Sequence, residues 1–176
     1  MRLNFKKDFL LVTAMLVAAG CSDSMTGENN PEQQVPIAFG TQVATRAVVE
    51  SDKEGMDNFT LWGWVRESDG PKLFFDAASV TPSGNYGEKR FWAVGRPYDF
   101  YAVHPEEMKE IGVATEVSCN DKGELRVTGF DSSGMGKDAV DLMTATETDV
   151  TYEGGGTMAP VLLAFKHELA QVKLTV

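Results

Sequence analysis

Beyond residue 34 the chain breaks into short runs in which apolar side chains recur at every second position, the spacing of strands with one face buried. Val35, Ile37 and Phe39 alternate, and the same phase continues through Thr41, Val43 and Thr45. In the next run Phe59, Leu61, Gly63 and Val65 fall on one face, with Trp62 and Trp64 on the other. Further strands are expected over 72–75, 90–94, 98–103, 114–119, 124–129, 161–167 and 172–176, all rich in the aromatic and β-branched residues that suit a pleated surface. Asn120-Asp121-Lys122-Gly123 joins two of these runs with hairpin chemistry, because Asn, Asp and Gly tolerate positive φ. Short strands with Gly- and Pro-rich joints specify an all-β domain, an antiparallel β-sandwich. Helical signals are few: one turn opened by Pro105 over 105–111, and a second helical piece over 138–146.

The first 34 residues read differently. Arg2, Lys6 and Lys7 form a positive start, and residues 9–19 (FLLVTAMLVAA) are an apolar run too short to span a bilayer. Ala18, Ala19 and Gly20 then lead to Cys21. Small residues let the chain enter a signal-peptidase groove, and a cysteine immediately after them is what lipidation requires, since its thiol takes the diacylglycerol. The position three before Cys21 is Ala18, where Leu is more usual. Residues 1–20 are therefore expected to be a lipoprotein signal peptide, cut between Gly20 and Cys21. Residues 21–34, polar and without periodicity, are expected to be a flexible tether. Residues 35–176 make one domain.

Loss of the signal would take the net charge from −10 to −12. An acidic chain of this kind has no electrostatic attraction to nucleic acid or anionic lipid, so its link to the outer membrane would be the lipid on Cys21. Two or three acyl chains suffice for stable anchoring. The second cysteine, Cys119, is left without an internal disulfide partner and reads as a small buried apolar residue.

Catalytic and metal-binding patterns are missing from the sequence. There is no G-x-S-x-G, no H-E-x-x-H and no phosphate-binding loop. Gly154-Gly155-Gly156 is followed by Thr157 and reads as a joint. His104 and His167 have no ligand spacing, and Asp131-Ser132-Ser133-Gly134 resembles only half of a calcium loop. Trp62, Trp64 and Trp92 could stack on a sugar, but fit core packing better. No enzyme activity, metal or cofactor is implied.

In order along the chain, several pieces resemble the N-terminal domain of Bacteroidales fimbrillins, the major and minor (Mfa-like) subunits of type V pili. They are the Ala18–Cys21 lipobox region, Val35-Pro36-Ile37-Ala38-Phe39-Gly40, Ala44-Thr45-Arg46-Ala47, Phe59-Thr60-Leu61-Trp62-Gly63-Trp64 and Lys89-Arg90-Phe91-Trp92. Next come Tyr98-Asp99-Phe100-Tyr101-Ala102-Val103-His104-Pro105 and Asp141-Leu142-Met143-Thr144-Ala145. The last is Leu163-Ala164-Phe165-Lys166-His167-Glu168-Leu169-Ala170-Gln171-Val172. The resemblance implies a transthyretin-like, Greek-key sandwich of about seven strands, without catalytic activity, on the cell surface. It implies an arginine-specific protease cutting between Arg46 and Ala47. It also implies loss of the first strand, with Ile37 and Phe39 as its pocket-filling residues, and insertion of a strand from another fimbrillin subunit in its place. Family members usually carry a second domain that supplies the inserted strand. This chain ends at Lys173-Leu174-Thr175-Val176, so the expectation is an acceptor half without a donor half: a truncated product, a fragment, or a terminal, accessory or anchor subunit. Asp23-Ser24-Met25 also resembles a Bacteroidales O-glycosylation acceptor, and Asn58-Phe59-Thr60 has the form of an N-glycan sequon.

Three functional readings compete. A pilus or tip-adhesin subunit requires arginine-dependent processing and strand exchange. A non-polymerising surface lipoprotein that binds glycan or a host ligand requires an intact N-terminus and exposed tryptophans. An exported hydrolase requires a carboxylate or Cys–His pair converging in a cleft, which no spacing here supplies.

Overall fold

A computed structural model describes residues 34–43, 56–134 and 140–169. Gly20, Cys21, Arg46, Ala47, nearly all of the tether and the expected strand 172–176 lie outside the described residues. Eight strands are found there: β1 (Phe39–Val43), β2 (Phe59–Glu67), β3 (Gly70–Val80), β4 (Pro97–His104), β5 (Glu116–Cys119), β6 (Leu125–Thr128), β7 (Met143–Thr151) and β8 (Val161–His167). Six form one sheet in the order β1-β8-β7-β4-β2-β3, and β5 pairs with β6.

β2 is apolar at almost every position because both of its faces are covered. Phe59, Leu61 and Val65 enter one core cluster, and Trp62 and Trp64 enter another. The first cluster brings together strands far apart in the sheet. The rings of Phe39 on β1 and Phe75 on β3 meet edge-on at 5.6 Å, and those of Phe59 on β2 and Phe165 on β8 at 5.1 Å. The sheet therefore folds over on itself, laying β1 and β8 across β4, β2 and β3 as the second layer of a sandwich. β7 is the corner. It pairs with β4 from Pro97↔Thr151 to His104↔Met143, but with β8 only at Met143↔His167 and Thr144↔Lys166.

The second cluster lies on the other side of β2 and β4. There the β5–β6 hairpin and Met108 cover Trp62, Trp64, Val103 and Leu142. At the hairpin joint Gly123 has φ +76°, and the Asn120 side chain accepts the amides of Lys122 and Glu124 at 3.0 Å.

Four expectations change. The helical piece expected over 138–146 gives way to β7, because Met143 and Ala145 fill the first core while β4 gains a partner along its length. Residues 90–94 are no strand; they contribute one bridge, Pro36↔Phe91. The run expected at 72–75 extends to the eleven residues of β3. β1 runs parallel to β8, an exception within an otherwise antiparallel arrangement. Residues 105–111 make the single turn expected, with Ile111 N donating to Glu107 O at 3.0 Å.

Candidate functional site

The segment Gln34–Val43 fills a slot whose two walls come from distant parts of the chain. Its upstream half is held by residues 90–92: Ile37 N donates to Arg90 O at 2.8 Å, and Trp92 N donates to Val35 O at 3.0 Å. Its downstream half is held by β8, from Phe39↔Val161 to Val43↔Phe165, with Val161 N donating to Ala38 O at 2.8 Å. Side chains alternate as the sequence predicts. Val35, Ile37 and Phe39 are buried, while Gln34 and Pro36 are exposed.

Phe39 is the anchor with the most aromatic surroundings. Its ring meets Phe75, Tyr86 and Phe100 edge-on at 5.6, 5.6 and 5.3 Å. Ile37, 2% exposed, belongs to the same core. Burying three such side chains stabilises the domain by roughly 1.5–3 kcal/mol each. Their sum rivals the whole net stability of an ordinary domain, about 5–15 kcal/mol. An empty slot would thus cost about as much as the fold can lose.

The remaining candidates fall elsewhere. Trp62, Trp64 and Trp92 are all buried, which removes the sugar-stacking platform. Cys119 sits in β5, half-buried, and burial pushes its thiol up to about 11, so it is not poised as a nucleophile. His104 is buried at the end of β4, and burial lowers its pKa. His167 pairs with Asp141 at 2.8 Å on the surface. Asp131 accepts the Ser133 amide at 2.8 Å in a tight turn, and bonding from the Ser133 hydroxyl, then from this amide, lowers its pKa. Among the described residues no group of three His, Cys, Asp or Glu side chains could hold a metal ion.

Sequence reasoning missed two features. One is an ion cluster on the outer face of the sheet. Arg66 donates from Nε and Nη2 to Asp99 at 2.7 and 2.6 Å and also pairs with Asp149. The hydrogen bonds to Asp99 are the main reason the guanidinium is held still more firmly protonated. Asp99 also accepts the Asp149 amide at 3.0 Å, beside the register shift between β4 and β7. The other is the role of residues 81–96, which cross the first strand; Tyr86 and Gly84 carry no motif that would have marked them.

The architecture is that of an all-β sandwich whose segment 34–43 lies inserted between residues 90–92 and β8. The chain belongs to the fimbrillin-like family, whose model matches residues 45–176. It is also similar to fimbrium subunit Fim1C of Phocaeicola vulgatus, with 29% identity over 191 residues that cover 94% of this chain and 50% of that protein. The chain thus spans about half the length of this curated relative. No solved structure matches it.

Proposed function

We propose that the protein is a cell-surface fimbrial subunit, exported as a lipoprotein through Cys21 and assembled by exchange of its first strand. An arginine-specific protease cuts between Arg46 and Ala47, the strand carrying Ile37 and Phe39 leaves, and a strand of another subunit takes the slot. The observation that carries this reading is the slot itself: residues 34–43 lie between Arg90–Trp92 and β8, with Val35, Ile37 and Phe39 in the core. Main-chain hydrogen bonds on both sides would hold any extended segment, and the alternating pockets would set its register. The stability argument adds a constraint. Because the slot cannot stand empty, departure of the first strand must be coupled to arrival of its replacement. Membership of the fimbrillin-like family supports the same reading, and the family match begins two residues after β1 ends.

The test is the intact mass and N-terminal sequence of the protein recovered from the native cell surface. A mature N-terminus at Ala47, abolished in Arg46→Ala, is the expected result. An acylated Cys21 joined to an intact tether would overturn processing and leave a non-polymerising surface lipoprotein or an anchor.

A further inference from the structure

The connection between β3 and β4, residues 81–96, crosses the first strand on the side away from β8. Four contacts tie it there. Trp92 and Arg90 exchange backbone hydrogen bonds with Val35 and Ile37. Thr41 Oγ1 donates to Pro82 O at 3.2 Å. Gly84, at φ +82°, lies so close to the strand that a Cβ there would stand 2.2 Å from Phe39 O. The fourth contact is Tyr86. Its hydroxyl donates to Ile37 O at 2.8 Å and accepts the Arg90 amide at 3.2 Å. One side chain thus closes the loop onto itself and fastens it to the middle of the strand.

The loop is itself braced. Gly84 N donates to Thr81 O at 2.8 Å, and Thr81 N donates to Asn85 O at 2.9 Å. The Arg90 guanidinium lies over the rings of Phe74 and Phe75 at 5.2 and 5.1 Å, anchoring the far end to β3. The Tyr86 ring meets Phe75 at 5.2 Å, so its hydroxyl is presented from a fixed ring. Neither hydroxyl contact reaches β2 or β4, the centre of the sheet.

We propose that residues 81–96 are a strap over the first strand and that the Tyr86 hydroxyl is its latch, gating local release of residues 34–43 from the slot. The strand leaves when the strap lifts, and lifting requires the bond to Ile37 O to break along with the backbone bonds at Arg90 and Trp92. That this release serves subunit exchange rests on the function proposed above; the latch itself does not.

The test is hydrogen exchange, read by mass spectrometry on the full chain, of Tyr86→Phe against the unaltered protein. The variant keeps the ring and its aromatic contacts and removes only the hydroxyl. Loss of this half-buried hydrogen bond to the strand from a local opening should speed exchange in residues 34–43 by up to about tenfold. Peptides from β2 and β4 should keep their protection. A second variant, Gly84→Ala, pushes the strap off the Phe39 carbonyl by steric overlap and should loosen the same segment without touching the hydroxyl. Unchanged exchange at 34–43 in Tyr86→Phe, or an equal rise across β2 and β4, would overturn the latch. An unprocessed native N-terminus would defeat strand exchange and leave the latch measurement standing.

Discussion

The folded sheet has two terminal strands, and they are built in opposite ways. β3 is long, and its flanks are guarded against added strands. Pro71 lacks an N–H, Lys72 and Asp76 place charges along it, and an extra residue near Ala77, at φ +44°, bends it away from regular pairing. β1 is only five residues long and carries neither proline nor charge, yet its Phe39 is 4% exposed. It is secured by the strap and by core side chains rather than by a long ladder. The contrast teaches where the chain tolerates a guest strand. At β3 the backbone is spoiled for one, whereas at β1 the backbone and pockets already hold one, supplied by the chain itself.

The sharpest way to break this comparison is to truncate an anchor at each edge. Phe39→Ala leaves a cavity among Phe75, Tyr86 and Phe100 and should cost about 3–5 kcal/mol in urea denaturation. Leu73→Ala on β3 removes a side chain that is 50% exposed and should stay within about 0.5 kcal/mol. Equal losses would mean that the first strand is no more anchored than the guarded edge.

The difference between the edges was only partly legible in the sequence. Alternation placed Ile37 and Phe39 inward because the other face of that segment is exposed or only half-buried, and the same period of two divided the continuous apolar run of β2 between its two covered faces. It also bounded β8 correctly at 161–167. It failed at β7, where Met143 and Ala145 are the fully buried residues, 146–149 are exposed and Val150 packs against the core only in part, so little alternation remains to read. It failed at 90–94 because aromatic content marks burial rather than strand pairing, and Trp92 is buried from a loop. The parallel pairing of β1 with β8 and the Tyr86 bond to Ile37 join residues far apart in the chain, and local pattern carries no trace of such contacts.

Acidification acts between the edges, on His104 at the end of β4. Its Nε2 is buried without a partner among the described residues, and its Nδ1 lies 3.4 Å from Asp141 O. Burial lowers its pKa from 6.5, outweighing the raising effects of Asp141 and Asp57. The unfolded chain therefore binds this proton at a higher pH than the folded one. The stability it contributes is present above pH 6.5 and is lost as pH falls from there toward the folded pKa, below which the loss levels off. The expected result is a steeper fall in unfolding free energy below pH 6.5 for the unaltered protein than for His104→Gln. Since β4 pairs with both β2 and β7, hydrogen exchange should rise on both flanks together. Loosening confined to residues 34–43 would show that the strap, not the middle of the sheet, responds to pH.

The smallest effect on stability is expected at the guarded edge itself. Lys72 pairs with Glu67, which also pairs with Arg96, and the bond to Lys72 is the main cause of the lowered Glu67 pKa. Lys72 and Arg96 are exposed and Glu67 is partly exposed at the surface, where such pairs contribute little and salt screens them. Lys72→Val with Asp76→Val should therefore leave the unfolding midpoint unchanged. What should change is association. With both charges gone, β3 presents an apolar edge beside Leu73 and Phe74, and size-exclusion chromatography should show concentration-dependent oligomers absent from the unaltered protein. A monomer at every concentration would mean that Pro71 and the bend at Ala77 protect this edge by backbone geometry alone. The contrast with β1 would then lie in main-chain shape rather than in charge.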